Sequence, residues 1–206
     1  MTNTELWVKI LNEIEHVIAT DFYSIYRMED ALQKVSAPAF SVDSGVTKGC
    51  IIPEGFDFVI KWTKDKRENE AEQELEIYQE AVARGIDFLF PQTCFLCEVS
   101  GVKFFAQQKV DCSRGNLDEK TYSKYKKITK TVKQEIFQKA QKGFYNNAWG
   151  GIDILWLSMV ISLYGKKTTL KLEQFTMDFK INDLHNGNIG FINNRPVLLD
   201  FSGYHR

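Results

Sequence analysis

Between Phe40 and Val110 the apolar residues come in short runs, each closed by Gly or Pro, and this punctuation constrains the fold most. Phe40-Ser-Val42, Cys50-Ile-Ile52 and Phe56 to Trp62 are separated by Ser44-Gly45-Val-Thr-Lys48-Gly49 and Pro53-Glu-Gly55. Three antiparallel strands joined by tight turns are therefore predicted. Thr93–Val99 and Val102–Val110, turning at Ser100-Gly101, add two more. Between the two sets, Lys66 to Arg84 carries Leu75, Ile77, Tyr78, Ala81 and Val82 at helical spacing, with Gly85 as its stop.

On either side of this block the apolar period is that of a helix. Leu6, Ile10, Leu11, Ile14, Val17, Ile18 and Phe22 predict one or two amphipathic helices, broken at Ser36-Ala-Pro38. Helices over about Leu117–Lys142, Ile152–Tyr164 and Leu170–Lys180 follow, with Trp149-Gly-Gly151 as a break. The chain then runs through Asn182-Asp-Leu-His-Asn-Gly-Asn188, a short strand Ile189–Ile192, a turn at Asn193-Asn194 and Val197–Asp200. The expected fold class is α+β with two lobes: residues 40–110 as a five-stranded antiparallel sheet plus helix, and residues 111–206 as a shortened helical lobe. Residues 1–39 supply leading helices, and Asp111–Asn116 reads as the linker. With 44% hydrophobic and 13% aromatic residues, a chain of 206 can bury a core as one domain.

Charge and cysteine usage narrow the function classes. Lys+Arg number 26 against 27 Asp+Glu, so the basic excess of a nucleic-acid binder is missing. Lys120, Lys124, Lys126, Lys127, Lys130 and Lys133 read as a solvated helix face. The apolar run Ile154–Tyr164 is about half the ~20 residues a bilayer needs. Glu5, Lys9, Glu13 and Glu15 interrupt any export signal. Cys50, Cys94, Cys97 and Cys112 are too few and too scattered for a disulfide scaffold. Cys94-Phe-Leu-Cys97 lies in an apolar run with no second ligand pair, so buried free thiols in a reducing cytoplasm are expected.

The chemistry-bearing segment is Asp183-Leu-His-Asn-Gly-Asn188, with Asp200-Phe201 twelve residues later. The spacing alone is weak, since Asp111 and Asn116 repeat it. What distinguishes it is the strand-turn-strand hairpin that brings Asn188 and Asp200 to one end. Two carboxylates and an amide suit Mg²⁺, which takes hard oxygen ligands together with phosphates and water. An Asp at the start of such a loop can accept a proton from an attacking hydroxyl. The plainer reading is an Asx-turn and a capped hairpin. His185 reads as a residue that orients the loop, and His16 and His205 have no visible partners.

Upstream, Phe58-Val-Ile-Lys61-Trp places one ammonium inside an apolar strand, and a buried ammonium needs a partner. Glu74 fits, three and four residues before Ile77 and Tyr78 on the inward face; Glu70 is the second candidate. The plainer reading is an edge-strand Lys facing water. Ser44-Gly45-Val-Thr-Lys48-Gly49 offers backbone amides that can cover phosphates, although any tight hairpin contains Gly.

In this order, the glycine hairpin, Lys61, Glu74, the Asp183 to Asn188 loop and Asp200-Phe201 resemble a protein-kinase-like phosphotransferase over residues 40 to 203. The Asp-x-His-x-x-Asn loop is most similar to the aminoglycoside and choline kinase branch and to some phage and bacterial kinase-like proteins. The resemblance implies ATP and Mg²⁺ as cofactors. It assigns Lys61 to the phosphates with Glu74 as partner, and Gly45, Lys48 and Gly49 to the phosphate cover. Asp183 becomes the base, Asn188 and Asp200 the metal ligands, and Gln107–Val110 the adenine hinge, with Gln108 and Val110 contacting the nucleotide.

The departures are specific. Ile181-Asn182 stands in place of His-Arg, and Ser202 stands in place of the Gly after Asp200-Phe201. The chain stops at Arg206, so acceptor docking is expected elsewhere, on the N-terminal helices or a partner. Trp156, Leu157 and Val160 read either as core or as a homodimer or partner contact in helix 152–164. No nucleic acid or membrane partner is expected. The leading function is transfer of the γ-phosphate to a hydroxyl of a protein or small molecule. The alternatives are a nucleotide-binding pseudokinase that acts as an interaction module and, third, an AMP transferase.

Overall fold

The structure, a computed structural model, describes residues 12, 40–44, 47–53, 56–64, 69–99, 101–112, 154–181, 184 and 186–202. The predicted N-terminal helices, the helix at 117–142, the linker beyond Cys112, and Gly45, Asp183, His185, His16 and His205 lie outside them. The described elements are α+β: strands β1 (Phe40–Ser44), β2 (Lys48–Pro53), β3 (Phe58–Thr63), β4 (Thr93–Val99) and β5 (Val102–Gln108), with helix α1 (Glu70–Ala83) between β3 and β4. Helix α2 (Ile154–Asp178) and the hairpin β6 (Ile189–Ile192) and β7 (Arg195–Leu198) complete them. No helix among the described residues is long and apolar enough to cross a membrane.

The chain divides into two compact units, Met1–Leu75 with Thr93–Gln108, and Glu76–Gln92 with Lys109–Arg206. The first contains one antiparallel sheet in the order β1-β2-β3-β5-β4. β3 is therefore the middle strand, and Val59, Ile60 and Trp62 are buried on it. Gly49 lies opposite Trp62 in the β2–β3 register. A Cβ on Gly49 would stand 2.1 Å from the indole ring, so this glycine is required by the Trp62 side chain lying over it. The ring of Phe104 on β5 packs against the same indole at 5.9 Å.

Local chemistry sets the ends of α1. Glu70 and Glu72 favour the positive N-terminal end of the helix dipole. The Thr63 hydroxyl at the end of β3 accepts from the Ala71 amide at 3.0 Å. At the other end Gly85 adopts φ 66. Gly85 N–H donates to Val82 and Ile86 N–H to Ala81, the paired bonds of a Schellman cap. Lys180, with φ 53, ends α2 the same way, through Lys180 N–H to Met177 and Ile181 N–H to Thr176.

The core of the second unit gathers Ile77, Ala81, Leu89, Trp156, Leu157, Val160, Phe175, Leu198 and Phe201. Trp156, Leu157 and Val160, left open by the sequence between core and dimer contact, are thus core residues. The two predicted helices run end to end, with only Gly165 (φ 79) out of helical geometry between them. Asp111, expected in a linker, instead bridges to Phe191 through two backbone bonds of 3.0 and 2.9 Å. The cysteines are free, as expected, but Cys94 and Cys112 are exposed and Cys50 and Cys97 half-buried. The buried-thiol expectation fails for Cys94 because β4 is an edge strand of the sheet.

Candidate functional site

β3 and α1 meet through charge. Lys61 Nζ lies 3.3 Å from Glu74 Oε2, with the lysine side chain 12% exposed and the glutamate 1%. A middle-strand Lys with this partner replaces the edge-strand reading, and the sequence's choice between Glu74 and Glu70 resolves to Glu74. The reason is helical phase. Residue 74 stands one turn after Ala71 and one before Ile77, both buried, so its side chain shares their face.

The cluster is larger than the pair the sequence suggests. Lys48 Nζ donates to Glu74 Oε1 at 2.5 Å, with both side chains buried. Gln107 Nε2 donates to Glu74 Oε2 at 2.9 Å and to Thr93 Oγ1 at 3.0 Å. The pleat explains the convergence. Lys48 pairs with Thr63, Cys50 with Lys61, and Val59 with Gln107, so Lys48, Lys61 and Gln107 all point to the helix side of the sheet. A carboxylate removed from water loses several kcal/mol of hydration, which only close cations and donors offset. Three donors on two oxygens supply them.

Lys48 and Gln107 were legible only in part. Lys48 follows a glycine turn and reads as a loop residue over phosphate, whereas its ammonium donates to Glu74 Oε1. Gln107 falls in the expected hinge, yet its amide points inward to Glu74 and Thr93. The signal for both was parity, since Lys48 stands two residues before Cys50 and Gln107 two after Phe105. Using it requires knowing the register of β2 and β5 against β3.

The second unit holds Asn188, Asp200 and Val110. Ile189 pairs with Leu198, and Leu199 N–H donates to the Asn188 carbonyl at 2.8 Å, so Asn188 and Asp200 occupy the same end of the β6–β7 hairpin. Asn193 and Asn194 turn the hairpin with φ 49 and 60, the left-handed pair of a type I′ turn. Asp200 itself has φ 47, a conformation uncommon for a non-glycine residue and concentrated at functional sites. The next residue, Phe201, is fully buried and edge-to-face with Phe90 at 5.0 Å.

A hard cation fits what these residues offer: one carboxylate and one buried amide side chain, which suits Mg²⁺ completing its shell with phosphate and water. Among the described residues, no group of three or more His, Cys, Asp or Glu forms a metal cluster. Val110, expected at the adenine, lies over the hairpin: a Cβ on Gly190 would stand 2.4 Å from Val110 Cγ1 and 2.8 Å from the Asp111 carbonyl. Gln108 ends β5, half-buried and paired with Phe58. No protein-family model matches the chain, and no curated protein matches it.

Proposed function

We propose that the protein is an ATP- and Mg²⁺-dependent phosphotransferase of protein-kinase-like architecture, transferring the γ-phosphate to a hydroxyl acceptor. The observation that carries this reading is the ion pair between Lys61 on the middle strand and the buried Glu74 on α1. A lysine oriented by a carboxylate is a charge-neutralising group for phosphates, and phosphoryl transfer depends on positioning and charge neutralisation. The hairpin adds oxygen donors of the right kind in Asn188 and Asp200. When bound, Mg²⁺ would offset phosphate charge. Asn188 and Asp200 would hold it, and Asp183 would accept the hydroxyl proton.

Thermal unfolding with and without Mg·ATP tests the binding step. Ligand at about 100 times its dissociation constant adds ~2.7 kcal/mol. For a chain of this length the midpoint then rises by roughly 5 to 10 °C. The rise is expected for the wild type and lost in Asp200→Ala; its absence in the wild type would overturn the reading. Transfer from γ-labelled ATP tests the chemistry, with Asp183→Ala expected to bind nucleotide but not transfer. Binding without transfer by the wild type would make the chain a nucleotide-binding interaction module. Label retained only from the α-phosphate would make it an AMP transferase.

A further inference from the structure

We propose that the two lysines on Glu74 divide the work: Lys48 is the standing counter-ion of the carboxylate, and Lys61 is the exchangeable one, passing from Glu74 to a ligand phosphate. This rests on the nucleotide-binding reading above and adds a positioning residue to it. The sequence groups Lys48 with the phosphate cover; its contacts assign it a different task.

The two Glu74 oxygens are shared unequally. Among the described residues Glu74 Oε1 takes Lys48 alone, at 2.5 Å. Oε2 takes Lys61 at 3.3 Å and Gln107 at 2.9 Å. If Lys61 leaves, each oxygen keeps a donor and a cation stays in contact, so the buried carboxylate remains compensated. If Lys48 leaves, Oε1 keeps no donor among the described residues, and only the longer ion pair remains. A charge-assisted N–H···O bond normally spans about 2.7–2.9 Å. The 3.3 Å contact is therefore the weaker of the two, and a phosphate oxygen can offer Lys61 a closer one. Gln107 is itself fixed by Thr93 at 3.0 Å, so Oε2 keeps an anchored donor during the exchange.

Lys48→Met, Lys61→Met and the double variant Lys48→Met/Glu74→Gln separate the roles. Each is unfolded thermally alone, with Mg·ATP and with sodium tripolyphosphate. Breaking a buried ion pair from one side is expected to lower the Lys48→Met midpoint by roughly 6 to 20 °C. Lys61→Met should lose less than half of that but lose the ligand-induced rise. Adding Glu74→Gln to Lys48→Met should recover at least half of its loss, because a neutral amide needs no counter-ion and Lys61, at 3.3 Å, depends on Glu74 the less; a simple packing defect would not be rescued this way. If Lys48→Met alone does not fold, a folded double variant carries the same conclusion.

Equal destabilisation by the two single variants, or no recovery in the double, would overturn the counter-ion role. A folded Lys61→Met that keeps the full rise would overturn the exchange. That last result needs a wild-type rise to read against. No rise in the wild type with either ligand is instead the failure of the nucleotide reading, and it removes the exchange step while the stability contrast still decides the role of Lys48.

Discussion

Glu74 and Asp178 are both carboxylates held by a cation from another element, and they differ in almost everything else. Glu74 sits in the sheet-bearing unit, 1% exposed, between Lys48 and Lys61. Asp178 closes α2 in the other unit, where Arg84 donates to it with both side chains over a third exposed. Arg84 also lies 5.3 Å and 5.0 Å from the centres of the Phe175 and Phe179 rings, so its guanidinium is as much a lid on aromatics as an ion-pair partner. The first cluster is conditional on exclusion of water, and losing one member exposes the cost of burial. The second is a clasp whose parts water can replace.

That contrast can be broken by experiment. Glu74→Ala removes the carboxylate that Lys48 and Lys61 share and should cost about 3–5 kcal/mol in urea unfolding, with little dependence on salt. A loss under about 1 kcal/mol, the range of exposed pairs, would put this cluster in the same class as the clasp. Next come Gly49 and Gly190, one in each unit, which other residues lie against. Gly49→Ala drives a methyl into the Trp62 ring and Gly190→Ala drives one into Val110 and the Asp111 carbonyl. Each should cost about 1–3 kcal/mol by overpacking, measured the same way. Arg84→Ala should cost about 1 kcal/mol through lost stacking on the two rings, and Arg84→Lys should lose nearly as much, because an ammonium does not stack as a planar guanidinium does.

The smallest effects are those of titration and thiol reactivity. The Arg84 hydrogen bond, then that of Gln174, holds the Asp178 carboxyl below its usual range. A carboxyl depressed in the folded state stabilises fully above its unfolded pKa, and that gain is lost as pH falls through the lower folded value. Asp178→Asn should therefore lose that gain at neutral pH, a small loss for so exposed a pair, and converge with the wild type as pH falls below the ordinary aspartate range, which flattens the acid limb. Burial pushes the Cys97 thiol up, whereas Cys94 is exposed, so Cys94 should react before Cys97 with a thiol reagent at about pH 8. Peptide mapping after brief labelling reads the order.

How much was legible follows from the range over which each signal acts. Gly85, Gly101 and Asn193-Asn194 mark local backbone turns, and the structure gives each a positive φ. Lys61 in an apolar strand and Glu74 on the inward face of a helix could be paired because each breaks the pattern around it. Lys48 breaks no pattern, standing beside a glycine in a polar turn, and only the β2–β3 register shows where it points. Parity also misleads at β4. Cys94 and Cys97, three apart, should face opposite ways. The register shift between Phe95 and Cys97 instead pairs them with Ala106 and Phe104, which share a face. Arg84 and Asp178, 94 residues apart, leave no mark in the sequence at all.

Trp62, lying over Gly49, and Trp156, in the core of the second unit, are both fully buried. Among the described residues each unit thus has an indole sealed from water, and indole emission reports that seal directly. With Trp7 and Trp149 replaced by Phe, a chain keeping only Trp62 or only Trp156 makes either unit its own thermometer. Coincident fluorescence midpoints would mark a single cooperative transition, and separated ones would give each unit a melting point of its own.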